Sequence, residues 1–438
     1  MSTPPSPVAG GQGAVSASRA VRTATWAVFA VFFLNGFNFA SWASRLPAVR
    51  TALGLSEGSM GLLLLFAAVG SLLALPLAGM VVQRVGAARA VLVFAAINVA
   101  GLVVAVTGVA QGSVDVVRVG LFFFGIGTGV WDAAMNIEGA AVEQRLGKAI
   151  MPRFHAGFSF GTMAGAGVGA LAALAQTPVQ WHLAVALALS LLGVVACVRF
   201  FLPAGAVDAG THAAPSGLAN SDDPAGEDPA TAVHSSRGAR SALAAWSEPR
   251  TLLIGLVVLA AALTEGAAND WVGLAVVDGF GTSDAVGALG LGIFLTAMTG
   301  MRLLGTGLLD RFGRVAVLRI SAGLAFVGLL VFALVPTLWV ALVGVVLWGM
   351  GAALGFPVGM SAASDDPAHA AVRVSVVSTI GYSAFFVGPP LIGFLAEHIG
   401  GYRPALLVIA VPLVIGLVVV GAARPLPTAA GGGGGSAH

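Results

Sequence analysis

Charge is what this sequence has least of. Only 9% of its 438 residues are Asp, Glu, Lys or Arg, against about 25% in an ordinary soluble domain. So few charges cannot cover a water-facing surface, and with 58% hydrophobic residues and a mean hydropathy of +0.95 the solvent for most of the chain has to be lipid. Cysteine is nearly absent as well. The single thiol, Cys197, lies inside an apolar run, which excludes an intramolecular disulfide and a thiolate metal site. No His/Glu/Cys cluster stands at metal-ligand spacing and no Gly-x-x-x-x-Gly-Lys phosphate loop occurs, so neither a membrane metalloenzyme nor an ATP-driven pump is supported. No catalytic residue, metal or cofactor is assigned. The 21 basic residues, for a net charge of +2, are too few and too dispersed to track a nucleic-acid backbone.

Glycine and long apolar runs are what the chain has instead. Its 61 glycines are about twice the usual share of roughly 7%, and in membrane helices glycine lets backbones pack closely. A spanning helix needs about 20 apolar residues. On that rule six spans fall near 23–46, 57–82, 89–110, 115–140, 154–175 and 181–202. Six more fall near 251–277, 284–309, 315–335, 337–362, 373–397 and 404–422. The expectation is an all-α integral membrane protein of two six-helix bundles, 23–202 and 248–422. Segments 1–22 and 423–438 read as disordered tails, and 203–247, rich in Ala, Gly, Ser, Asp and Pro, as a flexible linker. The first apolar run is too long for a cleaved signal peptide. Ser56 and Ser283 are placed to cap the second and eighth spans.

Basic residues set the orientation. With both termini in the cytoplasm, sixteen Arg or Lys fall on the inner side and only Arg45, Arg50, Arg118 and Arg403 on the outer. A bacterial cytoplasmic-membrane protein, monomeric in the bilayer, is expected. The halves are also copies of one unit. Asp310 and Gln83 stand 227 positions apart (310 − 83), as do Ser283 and Ser56 and also Gly388 and Gly161. Parallel repeats of this kind occur in many secondary transporters.

The turn Gly305-Thr306-Gly307-Leu308-Leu309-Asp310-Arg311-Phe312-Gly313-Arg314, between two apolar runs, resembles the loop motif of the major facilitator superfamily, and the resemblance covers about residues 23–422. Ser41-Trp42-Ala43-Ser44-Arg45-Leu46-Pro47, Met135-Asn136-Ile137-Glu138, Pro152-Arg153-Phe154-His155 and Glu265-Gly266-Ala267-Ala268-Asn269-Asp270-Trp271 are similar to its YbjJ-like branch. The resemblance implies twelve helices around a seam that serves as substrate cavity, lined by the first, fourth, seventh and tenth. It also implies that Asp310, with Arg311 and Arg314, braces the inner side against the start of the fifth helix near Arg153. The first copy of the turn carries Gln83 and Arg84 where the second has Asp310 and Arg311, so its matching brace should be weaker.

Polar residues deep in the spans concentrate largely on those seam helices. Asn35, Asn38, Trp42 and Arg45 share one face of the first. Asp132 and Asn136 pair one turn apart on the fourth. Glu265, Asn269, Asp270 and Trp271 lie on the seventh. Glu265, near mid-span, is expected to carry a proton, with Asn269 one turn away to report it; a neutral Glu bonded between helices is the alternative. Asp132 stands open between coupling acid and salt-bridge partner. Asn35 and Asn38 line the cavity or glue helices together, Trp42 and Trp271 line it or anchor at the interface, and Arg45 gates the mouth or snorkels to water. Glu138 and His155 are expected to pair at the inner ends of the fourth and fifth spans, and Arg302 to brace the nearby loop. Gly157, Gly161, Gly165 and Gly169 form a face for close packing, without the proline of drug-antiporter motifs. Gly388-Pro389-Pro390 predicts a kink or break. The function expected is proton-coupled transport of a small organic solute, with a proton-antiport exporter of drugs or metabolites, or a non-transporting sensor, as the alternatives.

Overall fold

Twelve helices long and apolar enough to cross a membrane account for most of the chain, each seated where an apolar run stands in the sequence. The computed structural model describes residues 10–147, 150–202, 244–366 and 369–425. Residues 203–243 of the expected linker and the chain ends 1–9 and 426–438 lie outside the described residues, while 10–22, expected in a disordered tail, belong to the first helix, Gly10–Ala43. The even number of crossings puts the two chain ends on one face, here the terminal face; the other is the opposite face.

Turns are tight and explained by their residues. Gly54, Gly86, Gly112, Gly147, Gly281, Gly313 and Gly400 end helices with positive φ, which a Cβ would oppose. Ser56 caps the second span by accepting the Ser59 N–H at 3.2 Å. Ser283 sits at the matching position but makes no capping hydrogen bond.

Three spans depart from expectation. The first does not end at Arg45-Pro47: a turn at 44–45 is followed by a second helix, Leu46–Leu53, with the proline in its first turn, where a missing N–H costs nothing. The tenth is broken between Leu338–Ala352 and Gly355–Ala363. The eleventh, Ala370–Ile399, stays helical through Pro389 and Pro390, so of the kink or break expected there the break is not made.

Glycine sets how closely the helices pack. In the fifth span (Met151–Leu174) Gly157, Gly161, Gly165 and Gly169 all face the first span, where a Cβ would meet Phe29, Phe33, Phe37 and Ser44 in turn. Gly167, on the other side of that helix, has open space. Gly161→Ala should therefore collide with the Phe33 carbonyl and cost about 1–3 kcal/mol. Gly167→Ala should gain up to about 1 kcal/mol of helix propensity. Thermal melting in detergent separates them; equal melting points would show that the fifth span is not seated on the first.

The halves meet along two helix pairs, the second with the eleventh and the fifth with the eighth. Gly61 and Gly393 bring the first pair into backbone contact near the opposite face.

Candidate substrate seam

The seventh span (Pro249–Phe280) carries the densest polar group in the membrane, and the tenth span's break completes it. Residues 353–354 leave the helix, which frees the Ala353 carbonyl. Arg302 of the eighth span donates to that carbonyl from Nε at 3.2 Å and to Glu265 from Nη2 at 2.8 Å. Glu265 is thus bonded between helices, as in the alternative reading but to a cation, and Arg302 ties the seventh, eighth and tenth spans rather than the loop. Behind this pair Trp348 donates its indole N–H to the Thr264 carbonyl at 3.2 Å, closing the helix–helix contact.

Asp270 has no hydrogen bond or ion pair among the described residues. It shares a helix face with Gly266 and Gly273; Gly266 meets Phe385 of the eleventh span, and Gly273 meets Gly287 of the eighth and, at the edge of contact, Pro47 of the first half. Neighbouring Asn269 has a buried Oδ1 with no partner. Asp132, on the fourth span (Val114–Leu146), is likewise unpartnered among the described residues, and its charge acts on Tyr382 of the eleventh span, in the other half. Asn136 does not reach the Asp132 carboxylate; its Nδ2 donates to the Asp132 backbone carbonyl at 2.8 Å. The salt-bridge partner that sequence allowed for Asp132 is absent among the described residues.

The first span turns inward. Asn38, 1% exposed, donates to Asn98 at 3.3 Å, and Asn98 to Thr128 at 2.9 Å, which ties the first, third and fourth spans together. Asn35 is buried with an unpartnered Nδ2. Trp42 and Trp271 are 3% and 0% exposed, so neither sits at a lipid–water interface, and Trp271 packs on Tyr402 with ring centroids 5.0 Å apart. Arg45, at 4% exposure, does not snorkel; its Nη2 donates to the Thr177 carbonyl at 2.7 Å.

At the opposite face the halves are latched. Arg50 of the first half bonds Asp278 of the second, pairs with Glu57 at 3.1 Å, and lies 5.3 Å over the Tyr402 ring. It is the ion pair that joins the two halves among the described residues.

At the terminal face each half closes on itself through carboxylates. Asp365 takes Arg250 and Arg314 at 2.8 and 2.9 Å, and both arginines also donate to carbonyls of residues 422–424 at the chain's last helix. Glu138 accepts the Leu202 N–H at 2.7 Å at the end of the sixth span. Asp365 and Glu138 are 227 positions apart (365 − 138), so one carboxylate in each copy ties the end of the fourth or tenth span to the last span of its half. Arg373 joins Glu248 and Asp366 beside it. Burial works against ionisation of Glu248, but hydrogen bonds from Arg373 and Thr251 and the charges of Arg373 and Arg250 outweigh it and hold the carboxyl below its usual range. A depressed carboxyl stabilises the fold above its unfolded pKa and loses that contribution as pH falls. Arg373→Met should destabilise by about 1 kcal/mol at neutral pH. The difference should shrink as pH falls through and below the ordinary carboxyl range near 4. Melting curves across that range check it, and a pH-independent gap would contradict the pairing.

The match to known proteins agrees with this architecture. Residues 28–387 and 254–436 match the sequence model of the Major Facilitator Superfamily. The chain belongs to the major facilitator superfamily. It is not an enzyme. It is 34% identical to the uncharacterized transporter y4wD of Sinorhizobium fredii, over 84% of this chain and 90% of that one. The solved structure of nucleoside transporter NupG superposes with a TM-score of 0.70 at 16% identity, covering 91% and 98% of the two chains. A D-xylose-proton symporter gives 0.64 at 14% identity, covering 93% and 98%.

The superfamily loop motif is in place, but its brace is not made here. Asp310 and Arg311 are exposed, Arg311 lying 5.3 Å over Phe312, and Gln83 and Arg84 are exposed on the first copy. Asp310 has no partner among the described residues. The N-terminus of the fifth span, where it was expected, is capped from within the first half: Glu143 accepts the Ile150 and Met151 N–H groups, each at 2.6 Å. Arg153 is exposed there. Nor do Glu138 and His155 pair. Glu138 is taken by Leu202, and His155 sits edge-on to Phe32 with centroids 5.3 Å apart.

Proposed function

We propose that this protein is a secondary active transporter that moves a small organic solute through the seam by alternating access, driven by protons. Asp132 and Asp270 are the proton carriers. The observation that carries this reading is two carboxyls deep in the spans, one in each half, with no hydrogen bond or ion pair among the described residues. An ion there costs several kcal/mol unless it is neutralised, so each acid must bind a proton or a cationic group of the solute as the seam changes exposure. Glu265, held by Arg302, anchors the seam wall. The Arg50–Asp278 latch fits a state shut on one side, with the terminal face as the cytoplasmic side, as the arginine distribution orients it. That one structural neighbour is a proton symporter is consistent with the coupling.

The test is uptake into proteoliposomes. Thermal-shift screening against sugars, nucleosides, amino acids and organic acids identifies a solute, and its accumulation is then measured with and without an imposed pH gradient. Gradient-driven accumulation supports the proposal; uptake that ignores the gradient refutes the coupling.

A further inference from the structure

A second chemical site lies outside the seam, at the opposite face. A cavity of about 560 Å³ opens between the end of the first span, the turn joining the fifth and sixth, and the start of the eighth. Arg45 lines it from the first half and Asp284 from the second. Arg45 is 4% exposed and spends one nitrogen on the Thr177 carbonyl, while its Nε and Nη1 have no acceptor among the described residues. Arg45 thus holds a fixed positive charge, incompletely compensated within the protein, on the cavity wall. Asp284 acts on Arg45 electrostatically, yet makes no hydrogen bond or ion pair with it or with any other described residue. A fixed cation and a fixed anion therefore face one cavity without touching. The rest of the wall is mixed, Ala48, Val109 and Val179 standing beside Gln176, Gln180 and Ser283.

We propose that this cavity binds a zwitterionic α-amino acid. Its carboxylate pairs with the guanidinium charge of Arg45 and its ammonium with Asp284, both on the cavity wall. Carboxylate recognition by a preset guanidinium and charge pairing at both ends discriminate against solutes that carry only one charge. The occupant touches both halves in the state where the Arg50–Asp278 latch is closed. It binds that state better than one in which the halves separate there, and so shifts the population toward it.

The experiment uses the full-length protein purified in detergent, with L-leucine as probe and L-leucinamide and N-acetyl-L-leucine as controls that each lack one charge. L-leucine is expected to raise the melting temperature saturably, with both controls at least tenfold weaker. Asp284→Asn, at a half-buried helix start, should fold and lose most of the response, and Arg45→Gln should do the same. No saturable shift in the wild type overturns the proposal. So does a shift that Asp284→Asn leaves intact, which would place the ligand elsewhere, or N-acetyl-L-leucine binding as well as L-leucine, which would make the site a plain anion site. The readout involves no proton gradient, so it stands or falls apart from the roles given to Asp132 and Asp270.

Discussion

Asparagine at position 132 is expected to abolish accumulation against a gradient while leaving downhill movement of the same solute. One proton crossing 100 mV releases about 2.3 kcal/mol, which supports roughly 50-fold accumulation of a neutral solute. Wild-type proteoliposomes should approach that ratio. Asp132→Asn removes the proton site but keeps the side-chain volume, so its vesicles should only equilibrate, a loss of more than tenfold. Asp270→Asn should do the same, because either acid missing breaks the cycle. Counterflow of labelled solute needs no net proton movement and should survive in both. Accumulation by Asp132→Asn at the wild-type level would remove that residue from the mechanism.

The largest effect on stability is expected at Arg302. Arg302→Met strips both the Glu265 carboxylate and the exposed Ala353 carbonyl of their donor, and breaking a pair of this kind by removing one partner costs about 3–5 kcal/mol. With the pair 29% and 19% exposed, the lower end of that range applies. Glu265→Gln should cost less, since an amide still accepts from Arg302. The double variant Glu265→Gln, Arg302→Met should be more stable than Arg302→Met alone, because no unpaired charge is left between the spans. Thermal unfolding of the four proteins closes the cycle, and additive losses would mean that the two side chains act independently.

Much of this architecture could be read before any coordinates. Apolar runs of about 20 residues leave little choice of state in lipid, and the 227-residue offset announces the two halves. Depth along a span is also legible, which is why Asp132, Asp270 and Glu265 stood out. Azimuth and pairing between helices are not. Glu265 and Arg302 are 37 residues apart on adjacent spans, and nothing in the apolar, glycine-rich tenth span signals the break at 353–354 that gives Arg302 its second acceptor. The twin prolines of the eleventh span misled in the other direction: φ near −65° suits a helix, and losing one or two hydrogen bonds need not end it. The Asp365 cluster was within reach, since the same offset applied to Glu138 lands on it. Glu143, capping the fifth span, was hidden because a glutamate near a helix end serves many partners.

Access of water to Asp132 is the most direct measure of the whole scheme. Cys197 is the only native thiol, so Cys197→Ser provides a background in which Asp132→Cys is the single target. With the opposite face latched, a membrane-impermeant maleimide should label Cys at 132 when added from the terminal face and not from the other. No labelling from either side, in membranes where detergent-unfolded protein labels fully, would mean that Asp132 faces lipid or a sealed core, and would contradict a proton-carrying seam.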